Sequence, residues 1–127
     1  MSRWSTLDKI VSVETGENAS ASAIRNVPNT LAIFDTHFPR FPVLPGVLML
    51  GSLGALAAEL LHADSDTQWR LQGADRVAFR HFVQPGDQLE LTVKLSKRSD
   101  TEAVLSGEAS VEGRVVVRAR KLRMVPR

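Results

Sequence analysis

The stretch "THFPRFPVLPGVLMLGSLGALAAEL" (Thr36–Leu60) decides how this chain folds. Its second half is apolar at almost every position, and Pro45 suits the first turn of a helix, where its missing N–H is not needed. We therefore predict a helix from about Pro45 to Leu61 or His62. A helix that is apolar almost all round needs cover on most sides, so it should lie in the core. The glycines, the serine and Glu59 interrupt the run too often for a membrane span.

The first half of the stretch is a loop with three prolines, Pro39, Pro42 and Pro45. Residues that precede proline avoid the helical region, so the loop should be stiff and extended. Long stiff loops in compact domains are often functional. This one would hold His37 near the N-terminus of the helix, although a lone histidine beside Phe38 could also be a packed loop residue.

The segments on either side of the stretch alternate between apolar and polar residues, which is typical of strands. "DKIVSVETGENASASAIRNV" predicts two strands joined at "ETGEN". After the helix, "WRLQGADRVAFRHFV" predicts a further strand. "LELTVKL", "AVLSGEASV" and "VVVRARKLRMV" predict three long C-terminal strands joined by short turns, which favours an antiparallel meander of these three. The prediction is a single α+β domain over residues 1–127, with a curved antiparallel sheet wrapped around one long buried helix, the hotdog arrangement. One such sheet leaves an edge and a flank exposed, so we expect a dimer with a continuous sheet.

Composition narrows the classes of function. The chain has 127 residues and no cysteine, which excludes a disulfide scaffold, a thiol nucleophile and a cysteine-ligated metal. The N-terminus lacks the apolar core of a signal peptide, so we expect a cytoplasmic protein that does not enter a membrane. Net charge is only +2, but the C-terminal tail is basic, with Arg118, Arg120 and Arg123 among its cations. Such a patch fits an acidic partner or a solvated strand face equally well. No nucleic-acid-binding motif accompanies it.

The loop and helix resemble a known signature. "HFPRFPVLPGVLML" is similar to the "GHFPxxPVxPGVLxxE" signature of the FabZ-type 3-hydroxyacyl-acyl-carrier-protein dehydratases, and "GADRVAFRHFVQPGDQLELTV" resembles their "DxxRFxxPVxPGDxL" region. The opening hairpin and the closing strands also resemble those of the family, in the same order. The resemblance implies a lyase of fatty-acid, polyketide or polyene biosynthesis that forms a trans-2-enoyl thioester, with no metal and no cofactor. The substrate would be a 3-hydroxyacyl thioester on an acyl carrier protein or on coenzyme A.

The resemblance also implies roles for individual residues. His37 would perform the proton chemistry, and the backbone N–H groups of Gly46 and Val47 would polarise the thioester carbonyl, since a helix N-terminus presents unpaired donors. The acyl chain would lie in an apolar tunnel beside the helix, formed by Phe38, Leu48, Leu50, Gly54 and Ala55. An acidic acyl carrier protein would dock on Arg118, Arg120 and Arg123.

One position departs from the family. The catalytic carboxylate falls five residues after the glycine of "PG", which is Gly51 here, and Thr36 replaces the glycine before the histidine. Glu59 is about 12 Å further along the helix axis, too far to substitute. Asp35 and Ser52 are the nearest possible substitute acids, although Ser52 is rotated by about 100° from Gly51. The small residues Gly51, Gly54, Ala55 and Ala58 favour either close backbone packing or a wide acyl tunnel. We interpret His62 and His81 as structural.

Three functions therefore remain open. The chain could be an active dehydratase in which water, Ser52 or Asp35 protonates the leaving hydroxyl. It could be a non-catalytic or half-site subunit, because in this family the histidine and the acid of one site come from opposite subunits. A heterodimer with an acid-bearing relative would then have one complete site. It could also be a hotdog acyl-thioester hydrolase or an acyl-binding protein. Acyl chain length, pathway and the choice between homodimer and heterodimer stay open.

Overall fold

The computed structural model describes residues 7–27, 46–63, 65–81, 83–84 and 86–127. Within these ranges the chain forms six strands and one helix. In chain order the elements are β1 (Lys9–Glu14), β2 (Ser20–Asn26), α1 (Gly46–His62), β3 (Trp69–Phe79), β4 (Gln88–Arg98), β5 (Ala103–Val111) and β6 (Arg114–Pro126). The helix and the strands thus occur where the alternation and the apolar run predict them.

All described strands belong to one antiparallel sheet with the order β1-β2-β4-β5-β6-β3. Strands β4, β5 and β6 follow each other as neighbours, which confirms the predicted meander. Strands β1 and β3 lie at the two edges. The curved sheet with its single long helix is the predicted hotdog arrangement. The dimer that would extend the sheet stays a prediction.

The core lies between α1 and the inner face of the sheet. Leu53, Leu56 and Leu60 of the helix are fully or almost fully buried there. The inward positions of β4 alternate as predicted, with Leu89, Leu91 and Val93 at 0% exposure. Burying each such side chain contributes about 1.5–3 kcal/mol, so this layer is the main stabilising contact of the domain.

Gly107 lies where the inner face of β5 is closely packed. A Cβ atom on Gly107 would lie 2.8 Å from Leu122 Cδ1 and 3.4 Å from Leu53 Cδ2. A side chain at this position would therefore collide with Leu122 of the neighbouring β6, whereas Leu53 of α1 would be at ordinary van der Waals distance.

The predicted burial of α1 holds on one side only. The side that faces the sheet is buried, whereas Leu48, Gly51, Ala55 and Ala58 are partly exposed in the single protomer. His62, at the end of the helix, is exposed and lies within hydrogen-bonding distance of the Thr67 carbonyl, Nδ1 to O 3.2 Å. In the described part of the chain, no helix has the length and apolarity that crossing a bilayer requires.

Candidate active site

The described part of the candidate site begins at the N-terminus of α1. Asp35, Thr36, His37 and Phe38 lie outside the described residues, so their roles stay predictions. Helix α1 begins at Gly46, as the "PGV" motif predicts. The first N–H groups of a helix have no intrahelical acceptor, so those of Gly46 and Val47 have the donor capacity that polarising a carbonyl requires.

Gly51 faces open space. No atom of the described chain, outside its sequence neighbours and its own helix backbone, lies within 4 Å of a Cβ built on this glycine. Gly51 is itself only partly buried, on the side of α1 that the sheet does not cover. A side chain placed at Gly51, where the family resemblance predicts a carboxylate, would therefore meet no obstruction from the described residues.

Gly54 has the opposite surroundings, although it belongs to the same group of small residues. It is buried, and a Cβ there would lie 3.0 Å from Leu71 Cβ and 3.1 Å from Leu71 Cδ2. Gly54 thus permits close packing of α1 against β3. Of the two interpretations of the small residues, close packing applies to Gly54 and open space applies to Gly51.

Two cavities border the exposed side of α1, and Ala55 and Glu59 line both. One, of about 290 Å³, extends towards the end of the helix, and its lining includes Ala58, His62 and Trp69. The other, of about 440 Å³, extends towards β1 and is lined by the segment from Leu7 to Ile10. Ala55 is therefore placed beside open cavities whose linings include charged residues such as Glu59, and its role in an acyl tunnel stays a prediction. Leu48 and Leu50 are half-buried and pack against the core instead.

Ser52 points to the sheet. Its side chain is fully buried, and its Oγ accepts a hydrogen bond from Arg25 Nη1 at 2.9 Å. Arg25 belongs to β2, so the Ser52 hydroxyl is directed at that strand. The prediction that Ser52 acts as a substitute acid gains no support from this position, and Asp35 stays a prediction.

Arg25 is a functional candidate that the sequence reasoning missed. It is only 1% exposed, and burial lowers the pKa of its guanidinium, while the nearby negative charge of Asp8 acts in the opposite direction. The signal was present in the alternation of β2, because Arg25 continues the inward parity of Ala21 and Ala23. The alternation could not show that Ser52 of α1 lies within hydrogen-bonding distance of Arg25.

The turn in "VQPGDQL" is hydrogen-bonded to the residue that follows β2. Gly86, at φ +92°, donates its N–H to the Val27 carbonyl at 2.8 Å, and the Val27 N–H donates to the Asp87 carbonyl at 2.9 Å. A positive φ of this size suits glycine because it has no Cβ. Val27 is the last described residue before the segment that contains His37. The turn therefore holds the end of β2 at the point where the described chain stops before that segment.

The candidate docking arginines differ in their surroundings. Arg118 forms a salt bridge with Glu108 at 3.1 Å, and Arg123 forms one with Asp75 at 3.3 Å. Arg120 is exposed, and with Arg118 and Lys94 it borders a cavity of about 310 Å³ between β4, β5 and β6. The acidic neighbours reduce the net positive charge that Arg118 and Arg123 present. Among the described residues there is no cluster of three metal-ligating side chains.

Comparison with known proteins points to one family. A family model described as ApeI-like, ApeI dehydratase, matches residues 13–116. The 3-hydroxyacyl-[acyl-carrier-protein] dehydratase FabZ of Streptococcus thermophilus is 37% identical over 112 residues, which cover 86% of this chain and 77% of that protein. The FabZ of Streptococcus mutans is also 37% identical, over 86% of this chain and 78% of its own length.

Solved structures with the same fold are more distant in sequence. A chain of the dehydratase heterocomplex ApeI:P from Xenorhabdus doucetiae superposes with a TM-score of 0.70 at 16% identity, covering 97% of this chain and 83% of that one. An uncharacterized protein from Pyrococcus horikoshii gives a TM-score of 0.73 at 18% identity, covering 98% and 85%. An acyl-CoA hydrolase from Staphylococcus aureus gives 0.63 at 16% identity, covering 84% and 62%. At these identities the likeness establishes the hotdog fold and leaves the chemistry open.

Proposed function

This chain belongs to the ApeI-like dehydratase family, and we propose that it removes water from a 3-hydroxyacyl thioester to give the trans-2-enoyl thioester. The observation that supports this most is the match over residues 13–116, which includes the histidine loop and the helix that starts at Gly46. The FabZ of Streptococcus thermophilus is in addition 37% identical to this chain over 112 residues.

In the proposed reaction, His37 takes a proton from the carbon next to the thioester carbonyl. The electron pair of that C–H bond forms the new double bond, and the bond to the hydroxyl on the next carbon breaks. The N–H groups of Gly46 and Val47 stabilise the negative charge that develops on the carbonyl oxygen. The leaving hydroxyl needs a proton to depart as water, and in the family a carboxylate at the position of Gly51 assists this step. Here the proton would come from water, from Asp35 or from a partner chain.

Replacement of the histidine tests the proposal. We expect His37→Ala to abolish conversion of a 3-hydroxyacyl carrier protein to the enoyl product, because the proposed reaction assigns removal of the proton to this imidazole. His81→Ala, at an exposed histidine, is the matched control and should retain turnover. Full activity of the His37→Ala variant would contradict the assignment of the base.

A second candidate function is favoured by Gly51, beside which the described part of the chain leaves open space. A glycine where the family signature has a carboxylate fits a half-site subunit, which would provide His37 to one complete site in a heterodimer. The complete site would take its acid from a related chain. The structural neighbour ApeI:P is itself a dehydratase heterocomplex.

Co-expression with an acid-bearing relative distinguishes the two candidates. A half-site subunit should co-purify with that relative as a heterodimer and turn over substrate much faster in the complex than alone. A homodimer whose activity does not change on mixing would support the self-sufficient dehydratase. Release of free thiol in place of enoyl product would indicate a hydrolase.

A further inference from the structure

Arg25 is a positive charge placed in the core layer between α1 and the sheet. It occupies an inward position of β2, and its register partner on the neighbouring strand is Leu89, which is fully buried. Removing a cation from water is costly unless hydrogen bonds and charges compensate it, and a well-packed apolar side chain of similar size is often no less stabilising. Fold stability alone therefore gives no reason for an arginine at this position.

The contacts of Arg25 join three elements. Nη1 donates to Ser52 Oγ of α1 at 2.9 Å. The charge of Asp8, just before β1, acts on the guanidinium. Asp8 also accepts a hydrogen bond from the N–H of Asn26 at the end of β2. Arg25 therefore belongs to a cluster of polar groups that links the start of β1, the end of β2 and the helix.

The position of this cluster along the chain is what matters for the site. Strand β2 leads into the segment that contains His37, and α1 follows that segment. The Arg25–Ser52 hydrogen bond spans 27 residues of sequence and joins the strand before this segment to the helix after it. Ser52 immediately follows Gly51 and lies six residues after Gly46, so the bond is made on the N-terminal half of the helix.

We propose that Arg25 is a positioning residue which, through Ser52, holds the N-terminal half of α1 in register with the strand that leads to His37. This inference rests on the proposed dehydratase function. The distance between the histidine and the helix-start N–H groups must be maintained closely, because displacing reacting groups by about 1 Å can lower a rate by about 100-fold. Backbone hydrogen bonds to Gly86 and Asp87 hold Val27 against the sheet. The hydrogen bond from Arg25 to Ser52 holds the same end of β2 against the helix.

Three single variants and one double variant test this. Arg25→Met removes the hydrogen bond and the charge but keeps an apolar side chain of similar length. We expect kcat to fall by about 10- to 100-fold while KM changes by less than about threefold, since geometry is lost and not substrate contact. Arg25→Lys, which keeps a donor and a charge, should recover part of the loss. Ser52→Ala should lower kcat, and adding it to Arg25→Met should cause no further decrease, because the two residues act through one contact.

Arg98→Met is the matched control. Arg98 also bonds from the sheet to the helix region, with Nη2 3.0 Å from the Leu61 carbonyl and 3.1 Å from Ser65 Oγ, but at the other end of α1. This variant should lower the melting temperature and leave kcat unchanged. If the Arg25 variants lose activity only in proportion to their melting temperature, as Arg98→Met would, the residue is merely structural and the proposal is wrong.

Hydrogen exchange provides a readout that does not need activity. Arg25→Met should increase amide exchange in the first half of α1 and at Val27, whereas Arg98→Met should increase it at the end of α1. A folded Arg25→Met protein with wild-type kcat and unchanged exchange would overturn the inference. Absence of turnover in the wild type, both alone and with an acid-bearing relative, would overturn the proposed function instead. The hydrogen-exchange result would still decide whether Arg25 holds α1 against β2.

Discussion

Gly51 and Ser52 are neighbours in sequence with opposite surroundings. Gly51 meets open space, whereas Ser52 is fully buried and bonded to Arg25. The spacing from the "PG" glycine predicts that Gly51 replaces the family's acid, and this stays a prediction. The sequence could not show that the described residues leave space beside Gly51, since the surroundings of a helix face depend on which strands cover it.

Restoring a carboxylate tests the interpretation of Gly51 directly. We expect Gly51→Glu to accelerate dehydration by about 100-fold or more, because general acid assistance contributes roughly 10²- to 10⁴-fold. The variant should fold, since no described atom obstructs the new side chain. Product formation by the purified variant, relative to wild type, is the measurement.

Gly51→Gln is the control, because it has the same size and cannot supply a proton as a carboxylic acid does. If the glutamate and glutamine variants have equal rates, while His37→Ala is inactive, then a partner chain or another group already supplies the acid.

Helix α1 shows how far a sequence pattern determines an element. Its apolar run predicted its position, which is confirmed, and cover on most sides, which the single protomer shows only on the side that faces the sheet. The small residues could not be separated by pattern alone, because Gly51, Gly54, Ala55 and Ala58 have similar chemistry and different neighbours. Only the contact with Leu71 distinguishes Gly54 from Gly51.

Alanine substitutions at the two glycines should therefore have opposite effects on stability. Gly51→Ala should raise the free energy of unfolding by about 0.5–1 kcal/mol, since glycine is a poor helix former and the space is open. Gly54→Ala should lower it by about 1 kcal/mol, because overpacking against Leu71 costs about 1–3 kcal/mol and exceeds the same helix gain. Urea denaturation of both variants measures the difference, and an equal stabilisation by both would contradict the close packing of α1 on β3.

At the scale of the whole molecule, the sheet order and the helix across it could be predicted from strand alternation, short turns and the family resemblance. The salt bridges that the basic C-terminal tail forms could not be predicted in this way. Arg118 and Arg123 bond to Glu108 and Asp75, which are distant in sequence and become neighbours only through the β5–β6 and β3–β6 register. Exposed pairs of this kind contribute little to stability, but they reduce the charge available to a partner.

Docking of an acyl carrier protein should therefore depend unequally on the three arginines. We expect Arg120→Ala to weaken binding more than Arg118→Ala or Arg123→Ala, and the triple variant to weaken it most. The effect should shrink as salt is raised, because screening reduces interactions between exposed charges. Titration by calorimetry at two salt concentrations measures this, with Arg114→Ala as an exposed control at the start of β6. Unchanged binding by the triple variant would show that the tail is only a solvated face.

The central claim is that this chain provides dehydratase chemistry to a 3-hydroxyacyl thioester. The most direct measurement incubates the protein, alone and with an acid-bearing relative, with a 3-hydroxyacyl carrier protein and follows the carrier by mass spectrometry. We expect the acyl chain to lose one water while it stays attached to the carrier protein, and we expect His37→Ala to prevent this loss. An acyl chain that stays hydroxylated in both mixtures, or a carrier that returns as free thiol, would contradict it.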